Sequence, residues 1–300
     1  MYPLDYIEPV FRPPSEWKSL ILQVTNGCSW NRCTFCSMYT DEQKKFRPKK
    51  IELIEQEIIT IAQSGLPTSR VFLADGDAMM LPFKRLKQIL VLIKQHLPQV
   101  TRVSSYCLPR NLSNKTVDEL SELQSLGLKL LYVGCESGDD EVLTLIDKGE
   151  TYQSSVIALN KIKQAGMKSS VMILNGLGGP ELSEQHALNS ARLMNETQPD
   201  YLSTLVVSFP FGEQRFADNF TKQHYQPFRQ LTQPELFHEM EMLLETLELN
   251  KTIFRSDHAS NYLVLKGILG KDKQTLLQKV KAAQRQPGSI ALRQEWQRGL

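Results

Sequence analysis

Short apolar runs alternate with longer stretches of helical periodicity over the first two thirds of the chain. Continuous apolar runs bounded by turn residues are typical of buried strands, and apolar positions recurring every three or four residues are typical of helices. The predicted strands are residues 20–24, 71–74, 102–106, 128–135, 169–174 and 202–207. The predicted helices between them are residues 51–64, 83–97, 116–126, 140–146, 152–165 and 181–197. This alternation predicts an α/β fold with a parallel sheet and right-handed crossovers, either doubly wound or an incomplete barrel.

Polar and glycine-rich sequences directly follow these predicted strands. They are the loop 25–39, Asp75-Gly76-Asp77, Glu136-Ser137-Gly138, residues 176–179 and residues 208–210. In parallel α/β folds the loops that carry catalytic and ligand-binding residues lie at the carboxyl ends of the strands. The sequence therefore predicts one functional site at that edge of the sheet.

The pattern changes after residue 212. Residues 211–231 are predicted to be irregular, and they are followed by an amphipathic helix over 234–249, a short added strand over 252–254 and a helix with a basic face over 271–283. We predict three parts: a leader over 1–18, a core over 19–212, and a C-terminal extension over 213–300 that caps the substrate side.

Composition excludes several classes of protein. The chain has 300 residues, 41% apolar and 23% charged, with a net charge of +2, which indicates a globular protein and names no partner. No apolar stretch is long enough to span a membrane, and the N-terminus lacks the pattern of a signal peptide. We therefore expect a cytoplasmic location, where clustered cysteines bind metals or act in catalysis.

Three of the five cysteines, Cys28, Cys33 and Cys36, fall within nine residues. A zinc site would need a fourth ligand from elsewhere, and a dithiol redox centre at Cys33 and Cys36 would leave Cys28 unused. Three thiolates with a missing fourth favour an iron–sulfur cluster that keeps one iron open. Cys107 and Cys135 end apolar strands and are interpreted as core residues, so no second cluster is expected.

This loop, together with the strand ends, resembles the radical S-adenosylmethionine (radical SAM) superfamily over about residues 18–212. The resemblance implies a partial (β/α)6 TIM-like barrel and one [4Fe–4S] cluster, held by Cys28, Cys33 and Cys36. It further implies reductive cleavage of S-adenosylmethionine (SAM) to a 5′-deoxyadenosyl radical. The chain departs from the common family spacing, because four residues instead of three separate Cys28 from Cys33.

The resemblance also implies cofactor contacts at the other strand ends. Glu136 is implied as a catalytic and cofactor-contacting residue. The aromatic before the third cysteine lies near the adenine in the family. Residues 75–77 occupy the position of the family's Gly-Gly-Glu motif, although the two aspartates are equally interpretable as turn formers. The implied cofactor-binding residues are Phe35, Asp75, Gly76, Asp77, Glu136, Gly176 and Gly178.

Within the superfamily, the resemblance is closest to oxygen-independent coproporphyrinogen oxidase, the methylthiotransferases and their uncharacterised relatives. We expect hydrogen abstraction from an unidentified, small-molecule substrate, with an electron donor such as flavodoxin or ferredoxin. His258 and Asn261 are interpretable as pocket-lining residues or as local caps.

The alternative is a zinc- or iron–sulfur-binding regulatory protein that contacts nucleic acid through its basic C-terminus. Residues 271–300 carry seven Lys and Arg against two Asp and Glu. Such runs are more often solvated helix faces, so nucleic acid is the less favoured partner.

Overall fold

The computed structural model describes residues 4–210, 212–222, 226–285, 288 and 290–298. Its contacts divide the chain into two compact units. The first unit contains Met1–Asn31, Cys36–Val133 and Ala158–Ser169. The second contains Arg32–Phe35, Gly134–Ile157 and Ser170–Leu300.

The first unit is built on a parallel sheet and a small antiparallel ladder. Its strands in chain order are β1 (Leu20–Gln23), β2 (Thr25–Asn26), β3 (Arg47–Pro48), β4 (Arg70–Ala74), β5 (Arg102–Cys107) and β6 (Leu128–Glu136), the last three residues of which belong to the second unit. β1, β4, β5 and β6 pair in parallel in that order, while β2 pairs antiparallel with β3. Since neighbouring parallel strands follow each other in the chain, each connection crosses over through a helix.

Amphipathic helices make these crossovers. They are α1 (Ile51–Gln63), α2 (Phe83–His96) and α3 (Val117–Ser125). The core of the unit includes Phe72 of β4, which is fully buried, with its ring centroid 5.1 Å from that of Tyr106 in an edge-to-face arrangement. Such aromatic pairs contribute packing energy beyond the area that they bury.

The second unit continues the alternation and ends in an added pair of strands. Its elements are α4 (Asp140–Leu145), α5 (Tyr152–Gln164), β7 (Lys168–Asn175), α6 (Gly179–Thr197), β8 (Tyr201–Val206), α7 (Gln214–Lys222), α8 (Gln233–Thr246), β9 (Ile253–Ser256), β10 (Leu265–Ile268) and α9 (Leu269–Arg285). The second half of α5 and the first two residues of β7 belong to the first unit. β7, β8 and β9 pair in parallel, and β10 pairs antiparallel with β9. No helix among the described residues is both long and apolar enough to cross a membrane.

All six predicted core strands are present, and so are the helices between them. The predicted short strand near 252–254 is confirmed as β9. The prediction that residues 211–231 are irregular was wrong, because α7 occupies Gln214–Lys222. Phe216 and Phe220 lie one turn apart and are both buried, so packing on one apolar face stabilises a helix whose other positions are polar. Residues 211 and 223–225 of that segment lie outside the described part, and the three-part division at 18 and 212 stays a prediction.

The buried aromatic pair gives a stability test. We expect Phe72→Ala to lower the free energy of unfolding by about 3–5 kcal/mol, because it removes a fully buried ring and leaves a cavity. Leu53→Ala, at a position that is 53% exposed on α1, should change it by less than about 0.5 kcal/mol. Urea denaturation of the cofactor-free protein measures both. Equal losses for the two variants would contradict the assigned core.

Candidate active site

A fully buried ion pair holds the carboxyl end of β4. Lys44 Nζ lies 2.6 Å from Asp75 Oδ2, and both side chains are inaccessible to solvent. Burial raises the pKa of Asp75, while its hydrogen bond and ion pair with Lys44 act in the opposite direction. Since an unpaired buried charge is strongly destabilising, this pair ties the segment after Cys36 to the end of the strand.

The turn after Asp75 is packed directly against the start of the cysteine loop. Asp77 is buried and accepts a hydrogen bond from the Ser29 hydroxyl. Gly76 and Gly27 both have positive φ, and a Cβ on Gly76 would collide with the Gly27 carbonyl. Each aspartate therefore engages one carboxylate oxygen within the first unit, while its Oδ1 is buried without a hydrogen-bond partner. Glycine is required where the two backbones approach.

In the second unit, residues 32–35 are bound to the turn that follows α4. Arg32 Nη2 forms an ion pair with Asp147 Oδ2 at 3.0 Å, and Thr34 N donates to the Ile146 carbonyl at 2.9 Å. Lys148 Nζ lies 5.9 Å from the centroid of the Phe35 ring. Cys33, between these contacts, is thereby held next to the Lys148 ammonium.

Glu136, the last residue of β6, forms the second buried ion pair. Its Oε1 lies 3.0 Å from Lys148 Nζ, while its other carboxylate oxygen, Oε2, is buried without a hydrogen-bond partner. Glu136 adopts a left-handed conformation with φ of 65°, which is uncommon outside glycine and is concentrated at functional sites. The carboxylate folds back over Gly134, where a Cβ would collide with Oε1.

Burial has opposite outcomes for the charge of Lys148 and for the thiol of Cys135. Burial by itself lowers the pKa of Lys148, but the Glu136 carboxylate and then the Cys33 sulfur raise it, and the net shift is upward. Lys148 therefore stays charged at neutral pH. Burial raises the pKa of Cys135 to about 12, so this thiol is neutral and behaves as a small core residue.

Two further buried groups hold the strand ends of the second unit. His186 Nδ1 lies 2.8 Å from Ser137 Oγ and its Nε2 lies 3.0 Å from the Leu174 carbonyl, so the ring joins the ends of β6 and β7. Glu239 of α8 accepts hydrogen bonds from Gly176 N at 2.7 Å and Ser183 Oγ at 2.6 Å.

The predicted glycines lie in the loop that Glu239 holds. Gly176 has a φ of 81°, and a Cβ on Gly178 would lie 3.0 Å from atoms of Leu182. Phe35 is partly buried against the core cluster formed around α4 and α7. At nearby strand ends, Asn175 Oδ1 and Thr204 Oγ1 are buried without hydrogen-bond partners.

The predicted pocket residues near the C-terminus make local contacts. His258 Nδ1 lies 2.9 Å from Ser260 Oγ, and Asn261 Nδ2 donates to the Thr204 carbonyl. Arg293 donates from Nη1 to the carbonyls of His258 and Asn261. These bonds favour the local-capping interpretation of His258, whereas Asn261 also lines a pocket together with Asn175 and Val206.

Sequence reasoning missed the lysines and the two groups on α6 and α8. Lys44, Lys148, His186 and Glu239 carry no local signal of their roles, except that Lys148 stands in the Asp-Lys-Gly sequence that follows α4. Among the described residues, no three His, Cys, Asp or Glu side chains are arranged around a single metal ion. A cluster binds each thiolate to a different iron, so its ligands need not converge on one point.

The side chains of the site fit the cluster and the SAM that the family resemblance implies. Thiolates are the ligands of iron–sulfur clusters, and an unpartnered carboxylate oxygen beside a buried ammonium offers an acceptor for a bound amine. The buried, unpartnered oxygens of Glu136, Asn175 and Thr204 lie at strand ends, where ligands bind in such folds.

Comparison with known proteins agrees with this arrangement. The model of the radical SAM superfamily matches residues 22–194. The chain is 23% identical over 187 residues to the heme chaperone HemW of Bacillus subtilis, covering 61% of this chain and 48% of that protein. It is 22% identical over 154 residues to a putative methylthiotransferase of Methanocaldococcus jannaschii, covering 50% of this chain and 33% of that protein. The chain thus spans about half the length of HemW and a third of the methylthiotransferase.

A solved structure is similar in fold. The structure of methylornithine synthase (PylB) superposes with a TM-score of 0.50 at 16% identity, covering 77% of this chain and 63% of that one.

The chain belongs to the radical SAM superfamily. It is an enzyme with the α/β fold of that family, a partial TIM-like barrel, and the family cofactors are a [4Fe–4S] cluster and SAM. Its matches to HemW and to a methylthiotransferase confirm the predicted subgroup.

Two carboxylates on α8 give a pH test. Burial raises the pKa of Glu239 in the folded state. As pH rises above about 4.3, this carboxyl group therefore ionises in the unfolded chain before it ionises in the folded protein, and the free energy of unfolding decreases. Glu239→Gln keeps an acceptor for Gly176 N and removes this loss, so its stability relative to the wild type should increase with pH.

Glu235 is the matched control on the same helix. Hydrogen bonds from Arg229 lower the pKa of Glu235 to about 2, so its contribution is present at neutral pH and is lost as pH falls. Glu235→Gln should therefore be the less stable variant, with a difference that shrinks in acid. Thermal unfolding from pH 4 to pH 8 measures both; parallel pH profiles for the two variants would contradict the assignment.

Proposed function

We propose that the chain uses Cys28, Cys33 and Cys36 to hold the cluster and the strand-end residues to orient SAM for hydrogen abstraction from a small-molecule substrate. When bound, the cluster supplies the electron that cleaves SAM to methionine and a 5′-deoxyadenosyl radical. The observation that carries the proposal is the buried pair of Glu136 and Lys148, held against the segment that contains Cys33.

The residues of this chain contribute binding, orientation and charge. Glu136 Oε2 would accept a hydrogen bond from the cofactor's amino group, and the ion pair with Lys148 holds that carboxylate in position. Phe35 supplies an aromatic surface for the adenine. The backbone of Gly76, Gly176 and Gly178 approaches the cofactor where a side chain would intrude, and Asp75 and Asp77 hold the turn through Lys44 and Ser29.

The location, the electron donor and the substrate-selecting part of the chain are inferred from the family resemblance. We infer a cytoplasmic location and a small one-electron donor such as flavodoxin or ferredoxin. Residues 213–300, outside the core, are proposed to select the substrate.

The nucleic-acid alternative has less support. On α9, Lys281 pairs with Glu241 and Glu245, and Lys273 Nζ donates to the backbone carbonyls of Glu245 and Leu247. These contacts reduce the positive charge that a phosphate backbone would meet. Residues 286, 287, 289, 299 and 300 of the basic tail lie outside the described part of the chain.

Iron content tests the ligand set. After anaerobic reconstitution the wild type should hold about four iron atoms per chain, and Cys→Ala at position 28, 33 or 36 should lose most of them. Cys107→Ser is the matched control, because its buried thiol donates to the Leu108 carbonyl and a hydroxyl can make the same bond. Full iron in any of the three variants, or loss in the control, would show that the ligand set is different.

The unpartnered oxygen of Glu136 gives a binding test. We expect Glu136→Gln to weaken SAM binding about tenfold or more, since a hydrogen bond to a charged group contributes about 1.5–3 kcal/mol. Its iron content should equal that of the wild type. Glu141→Gln, at an exposed position on α4, is the control. Equilibrium dialysis with reconstituted protein measures the affinity, and an unchanged value for Glu136→Gln would refute the cofactor contact.

A further inference from the structure

A pocket lies in the first unit, lined by residues that the proposed function does not use. Its volume is about 580 Å³, within the usual range for small-molecule sites. It is bounded by the short 3₁₀ turn Ala78–Met80 after β4, the start of α2, and the loop 109–115 that follows β5. The pocket therefore shares the strand-end location that ligand sites favour in this class of fold.

A buried lysine forms part of the pocket wall. Lys115 is only 6% exposed, and its Nζ donates to the backbone carbonyls of Met79 at 2.9 Å and Asn111 at 3.0 Å. An ammonium has three donors, so one remains for a ligand. Among the described residues, no carboxylate forms an ion pair with Lys115. Asp77 and Glu119 act on this ammonium without forming an ion pair with it. A buried cation with no carboxylate in direct contact is costly, and a bound anion would relieve that cost.

Two further cations and a helix end face the same space. Lys84 lies in the first turn of α2, and the Arg110 guanidinium is stacked 3.7 Å from the centroid of the Trp30 ring. α2 begins after Pro82 without a side-chain cap, so its first backbone N–H groups are left for other acceptors. Glu119 is the one carboxylate among the lining residues, and it already accepts a hydrogen bond from Thr116 N.

The remaining lining residues at the start of α2 are apolar. Met80, Pro82 and Phe83 form this part of the wall, and Met80 is 46% exposed. An apolar wall beside three cations fits a molecule with an anionic group at one end and an apolar body at the other.

We propose that this pocket binds a small organic molecule through a phosphate group, with Lys84, Arg110 and Lys115 holding the phosphate and the apolar wall contacting the rest. Lysine, arginine and an open helix N-terminus are the groups that proteins commonly combine for phosphate. The proposed phosphate group is a ligand distinct from the cluster and from SAM, although Arg110 is stacked on Trp30 of the cysteine loop.

Binding of phenyl phosphate and of inorganic phosphate to the full chain tests this at constant ionic strength, by calorimetry. We expect phenyl phosphate to bind more tightly than inorganic phosphate, because the ring contacts Phe83 and Met80, and acetate to bind far more weakly. Lys84→Ala should weaken phenyl phosphate binding about tenfold or more, the effect of losing one charge-assisted hydrogen bond.

Lys94→Ala is the matched control, because Lys94 is exposed in the last turn of the same helix. It should bind phenyl phosphate as the wild type does, and circular dichroism should show both variants folded. The proposal is overturned by equal binding of phenyl phosphate and inorganic phosphate, by equal binding of phosphate and acetate, by equal effects of the two substitutions, or by the absence of binding at millimolar concentration.

Discussion

The need to pair buried charges organises the functional end of each unit. A charge without a partner in the interior costs several kcal/mol, so each buried carboxylate at a strand end requires its cation nearby. Asp75 at the end of β4 has Lys44, and Glu136 at the end of β6 has Lys148. Each lysine is borne by a segment that also positions the cysteine loop: Lys44 follows Cys36, and the turn with Lys148 binds residues 32–35.

The same constraint explains how charge is distributed around the proposed active site. The aspartates after β4 each bind Lys44 or Ser29 through one carboxylate oxygen, and the other oxygen of each is buried without a hydrogen-bond partner. Glu136 keeps one oxygen without a partner, and His186 and Glu239 hold the loops around it through hydrogen bonds. A buried carboxylate with one unpartnered oxygen lowers the stability of the fold, but among rigidly held neighbours it is well placed to bind a ligand.

Local pattern was sufficient to predict the strands of the core. The run ending in Ala74 and the run ending in Glu136 read as strands because they are apolar and are closed by turn residues. α7 was missed because only Phe216 and Phe220 mark its buried face, and tertiary packing stabilises it. The partners of the buried carboxylates could not be found from spacing, since Lys44 is 31 residues from Asp75 and Lys148 is 12 residues from Glu136. Glu136's left-handed backbone and the pocket beside Lys115 likewise depend on contacts that only the folded chain brings together.

Iron-edge anomalous diffraction from anaerobically reconstituted crystals tests the central claim, that three cysteines of one loop hold a cluster with an open iron. The account predicts one cluster of four irons, with three bonded to the Sγ atoms of Cys28, Cys33 and Cys36 and the fourth bonded to no cysteine. A single metal ion at the loop, or a fourth bond from Cys107 or Cys135, would contradict it.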